Sequence, residues 1–190
     1  MSSALVSATG LAAIRGERVL FKDISITVDA GQAWLLRGAN GAGKTTLLRI
    51  LAGLTQAETG SIERNTSVHW CAHRLGLKPN ETPRLHLANW TRAWGSSAEL
   101  VDVLGRMGLR RPADVPARYL SAGQRQRTAL ARLLLEHRPL WLMDEPFSAL
   151  DVKGRAMLLD LVARHRAQGG AVIAAIHGEA DFAATGEVDL

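Results

Sequence analysis

Short apolar runs separated by polar residues and glycines fill the first part of the chain. Each run has the length of a strand and is bounded by turn-forming residues, so the pattern predicts a series of short β-strands. These strands are predicted at residues 11–14, 18–21, 24–28 and 33–37. The chain is therefore expected to begin with a β-rich segment.

A glycine-rich loop and then a helix follow the last of these strands. Residues 38–54 read GANGAGKTTLLRILAGL, in which apolar side chains recur at helical spacing and Gly53 is the predicted stop. The apolar positions are Leu47, Leu48, Ile50, Leu51 and Leu54. The pattern therefore predicts a strand, a glycine loop and a helix in this order.

The second half of the chain mixes helical and strand-like segments. Residues 82–137 have a mainly helical pattern, interrupted by two prolines in the segment GLRRPADVPARY. Apolar runs at residues 139–145 and 171–177 predict buried strands, and residues 186–190 predict a closing strand. An amphipathic helix is expected between the two buried strands, at residues 152–168. Its apolar face comprises Met157, Leu158, Leu161 and Val162.

The composition is that of a globular chain with its own core. Of the 190 residues, 47% are hydrophobic and 22% are charged, and no apolar run approaches the roughly 20 residues that a membrane-spanning helix needs. The start, MSSALVSATG, lacks the basic residues and the long apolar core of a signal peptide. A single cysteine excludes an internal disulfide and fits a reducing compartment. We therefore expect a cytoplasmic protein.

The formal net charge of +5 permits binding to nucleic acid, to anionic lipid or to phosphate groups. However, the arginines are scattered along the chain, without a basic run and without interleaved aromatic residues. The charge alone does not select among these partners, and a solvated basic surface explains it as well.

The clearest chemical signal is the segment GANGAGKT at residues 38–45, which fits the phosphate-binding pattern G-x-x-x-x-G-K-[ST]. Glycines let backbone N–H groups converge on phosphate oxygens, and the following helix presents the positive end of its dipole. Lys44 is expected to reach the β- and γ-phosphates of ATP, and Thr45 to ligate Mg²⁺. The predicted ATP-binding residues here are Gly38, Ala39, Asn40, Gly41, Ala42, Gly43, Lys44, Thr45 and Thr46.

A second signal is the apolar run that ends in two carboxylates, Asp144 and Glu145. An enzyme with a phosphate loop needs a carboxylate beside its Mg²⁺ and another that orients the attacking water. We assign the metal role to Asp144, together with Thr45, and the catalytic role to Glu145.

Three further motifs complete a resemblance to the ABC-type ATPases. Residues 120–127, LSAGQRQR, are similar to the signature motif of that family, and residues 148–151, SALD, resemble its D-loop. His177 stands where the family has its switch histidine. The resemblance implies an α/β fold of the P-loop NTPase class, with a mainly parallel sheet, an N-terminal antiparallel β portion and a helical signature lobe. It implies one domain over residues 1–190, with the lobe at about residues 74–137.

The resemblance also implies a second copy of the chain as a partner. In a head-to-tail homodimer, each ATP is held by the phosphate loop of one chain and by Ser121 and Gly123 of the other, with Asp151 nearby in the D-loop. A serine and small residues at the start of a helix suit this role, because they offer N–H groups and a dipole to a γ-phosphate. We expect dimers that form with ATP and open after hydrolysis.

The segment SVHWCAHRLGLKP leaves several interpretations open. In an extended strand His69, Cys71 and His73 would share one face, which could be a metal or haem site or a buried strand end. The family commonly has a glutamine at the position of His73, where it touches Mg²⁺ and the water. His73 is therefore predicted to be a catalytic polar relay, and no direct haem binding is expected.

A second departure from the family pattern concerns the nucleotide base. No aromatic side chain is evident where such domains usually stack on adenine, and Arg15 occupies that place. A guanidinium can stack on a base, so a loose base selectivity is one expectation.

Within the family, the chain resembles the ATP-binding subunits of haem exporters in cytochrome c maturation. This implies a peripheral position on the cytoplasmic face of a bacterial inner membrane, with integral membrane transporter subunits as partners. ATP hydrolysis would either move haem or release a haem-loaded chaperone. Trp90 and Trp94, four residues apart in a predicted helix, form either a docking surface for a membrane subunit or part of the core of the lobe.

Three other functions are compatible with parts of the sequence. The ATPase of another ABC transporter has the same motifs. A soluble ABC-type NTPase acting on nucleic acid or ribosomes suits the basic charge, but such proteins usually need tandem domains or a long insertion, so no nucleic-acid partner is expected. A noncatalytic ATP switch is disfavoured because both Asp144 and Glu145 are present.

Overall fold

The structure is a computed structural model that describes residues 4–177 and 182–190. The first three residues of the N-terminal stretch MSSALVSATG lie outside this range. The described residues form two compact units. The first comprises residues 4–72, 138–145, 161–177 and 182–190, and the second comprises residues 73–137 and 146–160.

A five-stranded parallel sheet runs through the first unit in the order β5-β6-β7-β3-β8. Every residue of β6 and β7 is buried, which explains why their sequences are continuous apolar runs rather than alternating ones. Strands β6, β7 and β8 confirm the strands that the sequence predicts at residues 139–145, 171–177 and 186–190. Because the strands are parallel, their carboxyl ends meet at one edge of the sheet. The strands are β3 (Ala33–Arg37), β5 (Val68–Cys71), β6 (Leu140–Asp144), β7 (Ala171–Ala175) and β8 (Gly186–Asp189).

A separate three-stranded antiparallel sheet, in the order β2-β1-β4, belongs to the same unit. Its strands are β1 (Val6–Arg15), β2 (Arg18–Val28) and β4 (Thr59–Arg64). The prediction of two strands within β2 was wrong. Asp23 adopts a φ of 55° at the expected break, and the pairing with β1 shifts register there, so the chain bulges and continues as one strand.

The sequence did not predict strand β4, because its segment TGSIER contains a single apolar side chain, that of Ile62. It joins the sheet through its backbone pairing with β1, and only Ile62 is partly buried along it. An exposed edge strand of this kind leaves no alternating apolar signal.

Helix α1 (Lys44–Leu51) lies directly after the glycine loop and anchors it to the core of the first unit. Leu47, Leu48, Ile50 and Leu51 are fully buried, as their spacing predicts, and each contributes about 1.5–3 kcal/mol of apolar burial. Gly53 has a φ of 76° and terminates the segment, as expected. Leu54 was placed wrongly on the apolar face, since it lies past the end of the helix and is 54% exposed.

The second unit is mainly helical. Thr82 caps α2 by accepting a hydrogen bond from the backbone N–H of Leu85 at 3.2 Å. Short 3₁₀ segments, Ala117–Tyr119 and Ala131–Leu134, flank α4. The helices are α2 (Pro83–Trp94), α3 (Leu100–Arg106) and α4 (Ala122–Leu130), and α5 (Val152–Ala167) begins in this unit and ends in the first.

The predicted apolar face of α5 is confirmed at Leu158, Leu161 and Val162, which are buried, while Met157 is half-buried.

The two tryptophans of α2 are both half-buried, with ring centroids 4.7 Å apart. The guanidinium of Arg132 lies 5.0 Å from the centroid of the Trp90 ring. Their partial exposure is compatible with both predicted roles, so docking of a partner at Trp90 and Trp94 stays a prediction.

In the described part of the chain, no helix combines the length and the apolar character needed to cross a membrane.

Candidate active site

The glycine loop between β3 and α1 folds around the side chain of Lys44. Its Nζ donates hydrogen bonds to the carbonyl oxygens of Gly38, at 2.6 Å, and of Ala39, at 3.1 Å. Only 7% of the lysine is exposed. The ammonium group is buried and hydrogen-bonded to carbonyl oxygens of the loop, so its positive charge is held beside the first turn of α1.

Gly43, which immediately precedes α1, has to be a glycine for two reasons. Its φ of 119° lies in the region that side-chain-bearing residues rarely adopt. A Cβ atom there would lie 2.9 Å from Cδ1 of Phe21 and 3.1 Å from Cβ of Leu20, so the loop packs directly on β2. The sequence therefore keeps the backbone of the loop open for a ligand.

Thr45 and Asp144 meet at the carboxyl end of β6. The hydroxyl of Thr45 donates a hydrogen bond to Oδ2 of Asp144 at 2.8 Å, although 99 positions separate the two residues. Asp144 is the last residue of β6 and is only 5% exposed. A hydroxyl and a carboxylate side by side form an oxygen donor set that a hard cation prefers.

Glu145 and His177 form a second pair at the same sheet edge. Nε2 of His177 lies 3.0 Å from Oε1 of Glu145, and both side chains are partly exposed. With an ionised carboxylate, which only accepts hydrogen bonds, Nε2 of His177 would be the donor in this contact. The backbone at Glu145 has a φ of 51°, which costs about 1–3 kcal/mol, and its N–H donates to the carbonyl of Ala175 at 2.9 Å.

These groups open into one cavity of about 180 Å³. The structure thus brings together the phosphate loop, the acidic strand end and His177, which the sequence predicted separately. Arg15 also lines the cavity, while Leu20 is a lining residue that the sequence analysis missed. The described residues that line the cavity are Arg15, Leu20, Asn40, Gly41, Gly43, Lys44, Thr45, Thr46, Asp144, Glu145 and His177.

The signature segment lies in the second unit and caps α4. Oγ of Ser121 accepts from the N–H of Gln124 at 3.1 Å, and Oε1 of Gln124 accepts from the N–H of Ser121 at 2.9 Å. This capping box fixes the start of the helix. A Cβ on Gly123 would lie 2.9 Å from the carbonyl oxygen of Ala149, so the signature packs closely on the D-loop.

Within that D-loop, Asp151 has a structural contact of its own. Its Oδ1 accepts a hydrogen bond from the N–H of Gly154 at 2.8 Å, which caps the first turn of α5. The nucleotide role predicted for Ser121, Gly123 and Asp151 stays a prediction.

The histidine and cysteine segment differs from the simple expectation of one shared face. His69 and Cys71 are both buried on the same face of β5, an edge strand of the parallel sheet. The strand ends at Cys71, and His73 follows in a bend of the second unit with an exposed side chain. Across residues 4–177 and 182–190, no three His, Cys, Asp or Glu side chains are grouped as metal ligands would be.

Comparison with known proteins defines the class. Residues 21–148 match the ABC transporter family, and the chain belongs to that family. Its fold is accordingly that of a P-loop NTPase of the ABC type, with the predicted parallel sheet, antiparallel sheet and helices, and it is an ABC-type ATPase. Both the predicted fold class and the predicted enzyme class are confirmed.

Two relatives of the chain have names that specify a function within this family. The chain is 60% identical over 186 residues to the cytochrome c biogenesis ATP-binding export protein CcmA of Hyphomonas neptunium, covering 98% of this chain and 96% of the relative. The protein of the same name from Methylococcus capsulatus is 44% identical over 197 residues, with 95% of each chain covered. The resemblance that the sequence suggested is confirmed by these relatives.

Solved structures agree on the fold. An ATP-binding subunit of an ABC transporter superposes with a TM-score of 0.80 at 25% identity, over 91% of this chain and 79% of the other. A dimeric ATP-binding cassette in a post-hydrolysis state, bound to ADP and phosphate, gives a TM-score of 0.79 at 21% identity. That alignment covers 91% of this chain and 88% of the other.

Proposed function

We propose that this chain hydrolyses ATP as the energy-supplying subunit of an export system for cytochrome c biogenesis. The observation that carries the proposal is the convergence of Lys44, Thr45, Asp144, Glu145 and His177 on one cavity. The 60% identity to a cytochrome c biogenesis export protein, over nearly the whole chain, supports the specific pathway.

In the proposed site the phosphate loop binds the triphosphate of ATP. The ammonium of Lys44 already lies among the loop carbonyls and would move to the β- and γ-phosphate oxygens when they arrive. Backbone N–H groups at the start of α1 add the positive end of the helix dipole. The loop therefore neutralises charge without a large rearrangement of the fold.

A magnesium ion fits the donor set of Thr45 and Asp144. Their oxygens lie 2.8 Å apart, a hydroxyl beside a carboxylate, and both side chains face the cavity. When bound with ATP, Mg²⁺ would neutralise charge on the β- and γ-phosphates. The role of these two residues is to hold the ion at the carboxyl end of β6.

Glu145 is proposed to act as the general base. Its carboxylate accepts the proton of a water molecule as that water attacks the γ-phosphorus and the bond to the β-phosphate oxygen breaks. His177 orients this carboxylate through the 3.0 Å contact with Oε1. The positive φ of Glu145 fixes where its side chain leaves the sheet edge.

The complete ATP site is proposed to need two chains. Ser121 and Gly123 lie at the capped start of α4, where N–H groups and the helix dipole favour a γ-phosphate presented by a second copy. Asp151 at the start of α5 is assigned to the same interface. We accordingly propose a homodimer whose ATP-bound form is closed.

We propose that His73 acts as a polar relay in ATP hydrolysis. The imidazole can donate and accept one hydrogen bond at its two nitrogens, and unlike the amide of glutamine an imidazole is an ionisable group. A His73→Gln variant should therefore change the pH profile of ATP turnover. Superimposable profiles for the two proteins would contradict the assignment.

At the level of the cell, the chain is proposed to lie on the cytoplasmic face of the inner membrane, bound to integral membrane subunits. ATP hydrolysis would drive either the movement of haem or the release of a haem-loaded chaperone. No direct contact between haem and this chain is needed for either step.

The host strain provides the test of this function. Deletion of the gene that encodes this chain should abolish the c-type cytochromes, which are detected by a stain for covalently bound haem. Expression of the wild-type chain should restore them. A Glu145→Gln form, expressed at the same level, should restore none. Normal c-type cytochromes in the deletion strain would contradict the assignment of this chain to cytochrome c biogenesis. They would not contradict its assignment as an ATPase.

A further inference from the structure

Glu145 has a backbone conformation that needs support from its surroundings. Its φ of 51° lies in the left-handed region, and the proline that follows it narrows its accessible conformations further. On one side of this residue, the N–H of Glu145 donates to the carbonyl of Ala175 at 2.9 Å. On the other side Pro146 has no N–H, so its carbonyl oxygen is its only backbone group that can form a hydrogen bond. A donor to that oxygen therefore helps to fix the direction in which the Glu145 side chain leaves the backbone.

The side chain of Gln126, in the second turn of α4, is the donor to this oxygen. Its Nε2 donates to the carbonyl of Pro146 at 3.0 Å, although 20 positions separate the two residues. Gln126 is only 6% exposed and Pro146 is also buried, so a carbonyl that lost this amide would lie in a buried environment without its present partner. Because a carbonyl oxygen only accepts hydrogen bonds, the NH₂ group of the amide is the part of Gln126 that matters here.

Helix α4 supports the same segment at a second point. Gly123 leaves room for the carbonyl oxygen of Ala149, which lies 2.9 Å from where a Cβ on the glycine would be. Ala149 itself has a φ of 60°, so it is the second residue of the segment with an unfavourable backbone conformation. Such conformations persist only where neighbouring structure holds them. The segment that follows Glu145 is therefore fixed on α4 at Pro146 and at Ala149.

We propose that Gln126 is a positioning residue for ATP hydrolysis, which holds the Glu145 carboxylate in its reactive direction through the backbone of Pro146. This inference rests on the proposed function, in which Glu145 is the general base. Gln126 is not among the described residues that line the cavity, so it acts through Glu145 and not on the nucleotide. Its loss slows the chemical step and leaves nucleotide binding unchanged, because binding is assigned to the phosphate loop.

Gln126→Met should lower kcat for ATP by about 10-fold to 100-fold, since a displacement of about 1 Å at a reacting group can cost this much. KM and the affinity for ATP should change by less than about twofold. Methionine has nearly the length of glutamine, but its thioether cannot donate to the carbonyl of Pro146. Phosphate release measures kcat and KM, and calorimetry with ATP and Mg²⁺ shows that the variant is folded and binds nucleotide.

A second variant, Gln126→Asn, keeps the amide but places it one methylene too far from Pro146 for the present hydrogen bond. It should show the same loss of kcat with unchanged binding. This variant also provides the test if methionine at this position prevents folding.

The matched control is Thr128→Val on the same helix. The hydroxyl of Thr128 donates to the carbonyl of Gln124 at 2.8 Å, and the residue is fully buried. Valine keeps the shape of threonine and removes this hydrogen bond, so α4 loses a buried polar contact while the contact with Pro146 stays. The kcat of this variant should stay within about twofold of the wild-type value.

A double-mutant cycle tests whether Gln126 acts through Glu145. In the Glu145→Gln background the base is already absent, so the addition of Gln126→Met should change the residual turnover by less than about twofold. If Gln126 only stabilised the fold, its substitution would lower the rate by the same factor in both backgrounds.

Three results would overturn the inference: a wild-type kcat in the Gln126 variants, an equal loss of kcat in Thr128→Val, or a loss that recurs in full in the Glu145→Gln background. Wild-type turnover by Glu145→Gln alone would contradict the proposed function, and the positioning role would fail with it. That result is seen in a variant that retains Gln126, so it is distinct from the other three.

Discussion

Glu145→Gln should lower the rate of ATP turnover by between about 100-fold and 10,000-fold, the range that a positioned general base contributes. The amide keeps the size and the contact with His177 but cannot take a proton from water. Binding of ATP with Mg²⁺ should survive, because Glu145 is assigned to neither ligand. Phosphate release and calorimetry, measured on the same preparation, separate the two effects.

The matched control for this variant is Glu63→Gln, a glutamate on the exposed edge strand β4. It makes the same chemical change outside the cavity and should turn over ATP at the wild-type rate. Turnover by Glu145→Gln within about threefold of the wild-type rate would remove Glu145 from the role of base.

Lys44→Met should weaken ATP binding by about 10- to 100-fold, because charge-assisted hydrogen bonds to phosphate oxygens contribute about 1.5–3 kcal/mol. The change also leaves the carbonyls of Gly38 and Ala39 without their present donor, so the loop itself should loosen. Calorimetry with ATP and Mg²⁺ measures the loss directly.

The control here is Lys22→Met, which removes an exposed lysine from β2 and lowers the net charge by the same amount. Wild-type affinity in this control attributes the loss to the position of Lys44 rather than to the overall charge. Equal affinities in both variants would contradict the assignment of the phosphate loop.

The chemistry of the site is predictable from the sequence where it depends on local pattern. The phosphate loop needs glycines and a lysine at fixed spacing before a helix, and a buried strand that ends in two carboxylates stands out from its surroundings. His177 follows a second buried strand in the same way. Parallel pairing then brings these separate signals to one sheet edge, which the order of strands and helices already favours.

What the sequence did not predict depends on tertiary pairing. Strand β4 is polar and is specified by its backbone partner in β1. The bulge at Asp23 lets two apolar runs continue as one strand, β2. Leu54 continues the helical spacing of apolar residues, although α1 has already ended at Leu51. Leu20 belongs to the cavity only because β2 packs on Gly43, a contact that no local pattern reveals.

The central claim is that this ATPase works with the membrane machinery of cytochrome c biogenesis, and copurification tests it most directly. A tagged Glu145→Gln form, isolated with ATP from detergent-solubilised membranes of the host, should retain its membrane partners, while a tagged Lys44→Met form should retain fewer. Mass spectrometry should then identify integral membrane proteins of cytochrome c maturation with Glu145→Gln. Recovery of an unrelated permease, or of ribosomal proteins, would contradict the account.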